Sequence, residues 1–210
     1  MAIQNAGYVG PQVGTDGGSL VARQDRTGAQ VVVEGGGKWQ EAARLGYLWS
    51  GQTAVAGVNI PIYTSTTQQF VISNPAASGK AMILKSYQLG YVSGTPVVGF
   101  TMIIGSNVPN ATPPSGTAGL QFNHKTGAVT GSSMTVLGST VTVVAATWYR
   151  PSLSTYLTTA GTTTIFAGEE IDGSIIVTPG GWIGIAANAA AFGTHMVSMT
   201  WAEVPVGLVS

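Results

Sequence analysis

From about residue 50 onward the chain consists of short runs of Thr, Val and Ile broken by Gly, Pro and Asn, and no stretch of useful length repeats with a helical period. β-Branched side chains are stiff at χ1 and suit a pleated, half-buried surface. That texture restricts the chain to strands and tight turns. Parallel pairs need long crossovers, usually helices, so the sheets are expected to be mainly antiparallel. Strand candidates are 55–63, 69–73, 83–91, 98–104, 134–148, 162–166, 174–178, 182–187 and 196–204. Within them Ile83, Lys85, Tyr87, Leu89 and Tyr91 alternate with Leu84, Ser86, Gln88 and Gly90. Val98, Phe100, Met102 and Ile104 share one face of the next run, and Ser93-Gly94-Thr95-Pro96 between them carries turn chemistry. These two runs are expected to form a hairpin. Eight or nine strands on short connections predict an all-β, antiparallel β-sandwich of jelly-roll type. About 160 residues suffice for its core.

The first 50 residues differ in character. Eight of the 16 charged residues lie in the 29 residues from Asp16 to Arg44, and the other eight serve the 166 residues from Leu45 onward. The same stretch holds Gly17-Gly18, Gly35-Gly36-Gly37 and one β-like run, Val31-Val32-Val33. Residues 1–50 read as an extended N-terminal arm and 51–210 as the sandwich. One short helix is expected over 38–45, where Glu41 and Arg44 are i,i+3 neighbours and Gly46 supplies the stop.

Charge also separates the functional classes. A soluble domain is roughly a quarter charged, which for 210 residues is about 52 groups; this chain has 16, in equal numbers of each sign. Near-zero net charge promotes association, so the surface is expected to be covered in an assembly. Nucleic-acid binding requires clustered Lys and Arg to displace counterions, and the sequence has no such cluster. Disorder requires low hydrophobicity and high charge, whereas mean hydropathy is +0.29. With no cysteine, disulfides and thiolate metal sites fall away. Met1-Ala2-Ile3-Gln4-Asn5 lacks the basic and apolar regions of a signal peptide, and no apolar run approaches the 18 or so residues of a membrane-spanning helix. A membrane partner is therefore not expected.

The residues able to do chemistry are few. Asn74-Pro75-Ala76-Ala77-Ser78-Gly79-Lys80 has the outline of a phosphate loop, but Asn74 stands where its first glycine belongs and Ala81 where its metal-binding hydroxyl belongs. A β-turn is the better account. His124 and His195 read as surface or rim residues, with no G-x-S-x-G elbow to pair with either. Glu169-Glu170-Ile171-Asp172 is the sole acidic cluster; neighbouring strand residues face opposite ways, so Glu169 and Glu170 are not expected to flank one bond as a glycosidase pair would. A solvated turn is the leading reading, with calcium binding as the minority one. Trp148, Trp182 and Trp201 are expected in the core. Trp39 and Trp49, in the arm, either pack into the core or anchor the arm to a neighbour.

One further pattern runs along the chain. Glu41-Ala42-Ala43-Arg44-Leu45-Gly46, Trp49-Ser50-Gly51, Ala56-Gly57-Val58, the 74–80 turn and Leu89-Gly90-Tyr91-Val92-Ser93-Gly94 follow in order. Thr178-Pro179-Gly180-Gly181 and Trp201-Ala202-Glu203-Val204-Pro205 complete it. Over residues 41–205 this succession resembles small structural proteins of tailed-bacteriophage virions, the capsid cement or decoration proteins. The resemblance implies a non-enzymatic β-sandwich on the capsid surface, a homo-oligomer, commonly a trimer, bound to the major capsid protein, with no cofactor. Candidate interface residues are Arg23, Asp25, Arg26, Lys38, Trp39, Glu41, Arg44 and Trp49 of the arm; no catalytic or metal-binding residue is expected. The alternative is a tail- or fibre-associated domain that binds carbohydrate or a receptor, and an exposed aromatic platform flanked by polar side chains would mark it. A third reading, a carbohydrate-active enzyme, would rest on Glu169 or Asp172.

Overall fold

The computed structural model describes residues 37–94, 100–106, 112–155, 166–187 and 193–208. The chain divides into two compact units, Met1–Glu41 and Ala42–Ser210, and the sandwich belongs to the second. Of the expected arm, residues 1–36 lie outside the described residues. The helix α1 covers Lys38–Leu45 and ends on Gly46 at φ +82°, the left-handed position that glycine occupies without a Cβ penalty. Gly46 N–H donates to Ala43 O at 3.0 Å and Tyr47 N–H to Ala42 O at 2.9 Å, the two bonds of a Schellman cap.

Thirteen strands follow among the described residues. They begin with β1 (Leu48–Gln52), β2 (Val58–Asn59), β3 (Thr67–Gln68), β4 (Val71–Ser73), β5 (Lys80–Ser93) and β6 (Phe100–Ser106). Next come β7 (Ser115–Ala118), β8 (Leu120–Asn123), β9 (Thr135–Thr142) and β10 (Trp148–Thr155). The last are β11 (Phe166–Val177), β12 (Trp182–Ala187) and β13 (Thr194–Pro205). Strand β1 begins inside the stretch read as arm and crosses its boundary at residue 50: Trp49 sits opposite Trp201 in register, and both rings are buried in the core. The sandwich therefore takes in residues that composition alone placed outside it.

The strands form two antiparallel sheets, ordered β11-β5-β13-β1-β8 and β10-β6-β12-β4-β9-β3, with β2 beside β13 and β7 beside β9. Without the short strands and the 107–147 insertion, the orders reduce to β1-β13-β5-β11 and β4-β12-β6-β10. Numbered along the chain, these eight strands run 1-8-3-6 and 2-7-4-5, the double Greek key of a jelly roll. The expected hairpin is corrected by this topology. Strand β5 lies between β11 and β13, and β6 between β10 and β12, so two consecutive strands sit in opposite sheets.

The insertion extends both sheets on the same side. Strand β8 adds beyond β1 in the first sheet, and β7 pairs with β9 in the second. Only Gly119 separates β7 from β8, so one bent ribbon passes from sheet to sheet and closes that edge. The bend needs glycines: a Cβ on Gly119 would lie 2.8 Å from Val136 Cγ1, and one on Gly138 2.9 Å from Gly119 Cα. At the opposite edge Arg150 on β10 pairs with Glu169 on β11 at 2.7 Å, joining the sheets by an ion pair.

Between the sheets lies the main core, which includes Trp49, Phe70, Ile72, Leu84, Tyr87 and Trp201. A second buried cluster, including Val71, Leu137, Val141 and Trp182, occupies the outer side of the second sheet, with Tyr63 and Ala146 packed against it. Full burial of each such side chain contributes about 1.5–3 kcal/mol. The alternation read along β5 holds only in part. Leu84 pairs with Trp201, but the next pairing toward the far end is Ser86 with Thr200. That bulge lets Met82 and Leu84 join Tyr87 and Leu89 in the core although their parity differs.

Candidate functional site

Three sequence segments far apart in the chain meet at one end of the sandwich. Asn74, 1% exposed, donates through Nδ2 to the carbonyls of Lys80 at 2.8 Å and Val177 at 2.9 Å. Its Oδ1 accepts from Ser78 Oγ at 2.6 Å. Its backbone ties the 178–181 turn: Asn74 N–H donates to Gly181 O at 2.9 Å and Gly180 N–H to Asn74 O at 2.8 Å. Val206 N–H donates to Gly79 O at 3.2 Å, bringing in the end of β13. The 74–80 segment is thus a turn whose asparagine fastens two loops, as turn chemistry predicts.

Beside it, Glu203 is 1% exposed. Ser133 N–H donates to Oε2 at 3.0 Å and Trp201 Nε1 to Oε1 at 3.3 Å. Ser132 Oγ also donates to Oε1, and Lys80 Nζ lies 3.3 Å from Oε2. A buried carboxylate is tolerable only when its lone pairs are met in this way. Nothing in the sequence reading singled out Glu203. The available signal was its place two residues from Trp201, hence on the same inward face of the strand.

The acidic cluster is dispersed by the strand that carries it. Glu169 turns to Arg150 and accepts from Tyr87 Oη at 3.3 Å. Glu170 turns to the other face and pairs with Lys85 at 3.0 Å. Asp172 and Gly173 both have positive φ, 49° and 82°, and form the tip of a turn that loops out where β11 slips register against β5 between Glu170 and Ile175. Among the described residues no three His, Asp or Glu side chains converge as a metal site requires.

His124 is exposed at the end of β8. Its ring stacks on Phe122 at 5.3 Å with 28° between planes, and Nε2 lies 2.7 Å from Ser50 Oγ, which in turn lies 2.8 Å from Thr200 Oγ1. Partial burial, and then the Lys85 ammonium, hold its pKa below the ordinary value. A nucleophilic serine needs a carboxylate behind its histidine; the charge acting on this imidazole is of the opposite sign. His195, edge-on to Tyr91 at 5.7 Å, is also lowered by burial, against a raising backbone bond at Gly193.

Across the outer face of the first sheet the register aligns side chains in rows. Leu120, Gln52, Ser198, Gln88 and Gly168 form one, and Phe122, Ser50, Thr200, Ser86 and Glu170 the next. The third, Leu48, Ala202, Ile83 and Ile176, is apolar. Of the first two rows, Leu120, Phe122, Gln88 and Glu170 are exposed. A depression of about 210 Å³ lined by Tyr87, Gln88, Gly168, Glu169 and Glu170 lies at their β5–β11 end.

Of the arm residues, Arg23, Asp25 and Arg26 lie outside the described residues. Lys38, Trp39, Glu41 and Arg44 belong to α1, with Glu41 in its first turn and Arg44 in its last, the order favoured by the helix dipole. Trp49 is 6% exposed and faces the core, so its side chain belongs to the sandwich interior. Among the described residues no helix is long and apolar enough to cross a membrane. No protein-family model, curated protein or solved structure matches this chain.

Proposed function

We propose that the chain is a non-enzymatic structural protein of a tailed-bacteriophage virion, a cement or decoration protein that stabilises the head by clamping neighbouring capsid subunits. The observation that carries this reading is where the sandwich's charges are. From Leu45 onward there are eight charged side chains, and six of them are taken up in three internal pairs, Lys80–Glu203, Lys85–Glu170 and Arg150–Glu169. A surface whose few charges are mostly paired with one another has little to keep copies apart in solution and incurs less desolvation cost when covered by protein than one of isolated charges. The order of motifs along residues 41–205 supports the same assignment.

In this reading the jelly roll is a rigid body seated on the capsid surface as a homotrimer. The charged N-terminal stretch, with Arg23, Asp25, Arg26, Lys38, Glu41 and Arg44, sets register on the major capsid protein, since charge complementarity governs specificity more than affinity. Three tethered contacts raise avidity without strengthening any one of them. The test is deletion of residues 1–40, followed by sedimentation with capsid shells stripped of their decoration. The truncated protein is expected to keep its β spectrum and unfolding transition yet fail to co-sediment. Co-sedimentation of the truncated form refutes the clamp, and failure of the full chain to co-sediment refutes the assignment itself.

A further inference from the structure

We infer that β7 is a contact strand between two copies of this chain, its free edge pairing antiparallel with the same edge of a second copy about a two-fold axis. Among the described residues Ser115-Gly116-Thr117-Ala118 pairs with β9 alone, and all four residues are exposed. Gly119 N–H donates to Val136 O at 2.9 Å, which sets the parity of the ladder: Ser115, Thr117 and Gly119 turn their backbone groups toward β9. Alternate residues face the other way, so the N–H and C=O of Gly116 and Ala118 point outward. The register shifts in this pair put the extra residues on β9, and β7 keeps its own alternation.

The other margins of the two sheets carry the devices that blunt an edge strand. Strand β10 has Pro151 within it, and β11 carries Glu169, Glu170 and Asp172. The outer edge of β8 is occupied where Asn123 N–H donates to Ala128 O at 2.9 Å and Gly127 N–H to Asn123 O at 2.8 Å. Strands β2 and β3 are two residues each. By contrast β7 holds neither proline nor charge, and the sequence has no charged residue from Ser106 to Asn123. That identifies the occupant. On a two-fold axis each side chain meets its own copy, so any charge there meets a like charge, and an uncharged edge avoids this. A second copy also has one unguarded strand to offer, β7 again. With the axis at Thr117, that residue faces Thr117 of the second copy, and Gly116 faces Ala118, each such pair exchanging both main-chain hydrogen bonds. The contact is short and weak in solution, and copies concentrated on one particle multiply it. It rests on neither the clamp nor the trimer, since a two-fold contact cannot be one of the equal contacts of a three-fold ring.

The chain has no cysteine, so single-cysteine variants report the pairing directly. In Thr117→Cys the two sulfurs lie across a non-hydrogen-bonded pair with Cα atoms about 4.5 Å apart, within the span of a disulfide. The full-length variant is oxidised with diamide beside Thr178→Cys, an exposed position on the 178–181 turn. Thr117→Cys is expected to form disulfide-linked dimer about tenfold faster than Thr178→Cys, because pairing raises the effective thiol concentration. Adding Ala118→Pro removes an outward N–H and leaves the β9 ladder intact; the advantage is expected to vanish while the urea unfolding transition is kept. Ala118→Lys, which sets like charges diagonally across the axis, is expected to abolish it too and serves where the proline variant does not fold. Cross-linking of Thr117→Cys no faster than Thr178→Cys overturns the inference. An advantage that survives substitution of Ala118 overturns it as well, because the contact would not run through this edge. So does a Thr117→Cys protein shielded from self-cross-linking only when bound to shells, with no dimer in solution, since β7 would then be covered by capsid protein.

Discussion

Removing the carboxylate of Glu203 tests the account of the loop end most directly. In Glu203→Ala the N–H of Ser133 and the Nε1–H of Trp201, whose ring is fully buried, lose their acceptor. A buried donor left without a partner costs about 1–3 kcal/mol, so the pair accounts for about 4 kcal/mol at mid-range. The Ser132 hydroxyl is half-buried and Lys80 is 38% exposed, so both find water. The ion pair itself is screened by solvent at Lys80, and Lys80→Ala is expected to cost less than about 1 kcal/mol. Glu203→Gln retains one acceptor oxygen but turns an NH2 group toward donors, and falls between, near 2 kcal/mol.

Urea unfolding at one fixed protein concentration, followed by tryptophan fluorescence, supplies the comparison. For a chain of this size 1 kcal/mol moves Tm by about 2–4 °C, so Glu203→Ala is expected to lower it by roughly 8–16 °C. The ordering carries the test. Equal losses in Lys80→Ala and Glu203→Ala would show that the ion pair dominates and refute the reasoning from orphaned donors. A Glu203→Ala loss below about 1 kcal/mol would do the same.

Gly51→Ala places a Cβ 2.8 Å from Val136 Cγ2 and 3.1 Å from Trp201 Cζ3, and overpacking of this kind is expected to cost about 1–3 kcal/mol. Gly90→Ala, with no atom within 4 Å of the new Cβ, stays within about 0.5 kcal/mol in the same unfolding assay. Acid dependence follows from the histidines. His124 and His195 both titrate below their ordinary value when folded, so the unfolded chain binds more protons as pH falls below about 6.5. Their contribution is therefore fully present above that pH and is lost as pH drops toward the folded values. The double variant His124→Gln/His195→Gln is expected to flatten the stability profile between pH 7.5 and 5.5, and an unchanged slope would count against it.

The fold class was legible because its carriers are local. The run 182–187 is β12 itself, a near-continuous apolar run buried on both faces, and 196–204 lies within β13, which keeps Val197, Met199 and Trp201 on one inward side. Strand β1 was not legible: Leu-Trp-Ser-Gly-Gln has little β propensity, and its place is decided by pairing with β13 and β8. The phase of β5 was misread where a bulge moves the core from one parity to the other, an event set by the partner strands rather than by β5 itself. The opposite orientation of Glu169 and Glu170 was legible from strand parity alone. The contact of His124 with Ser50, 74 residues away, and the rows across the outer face depend on register between strands, which no single segment specifies.

The two margins of the sandwich are fastened by different means. On one, the backbone passes from sheet to sheet with only Gly119 between the strands; on the other, β10 and β11 are ten residues apart along the chain and meet through a guanidinium and a carboxylate. Such a body is a clasp with a hinge and a latch. Heat or mechanical load that parts the layers would begin at Arg150 and Glu169 and leave the ribbon side shut, so the first opened form would stay tethered and in register to reclose.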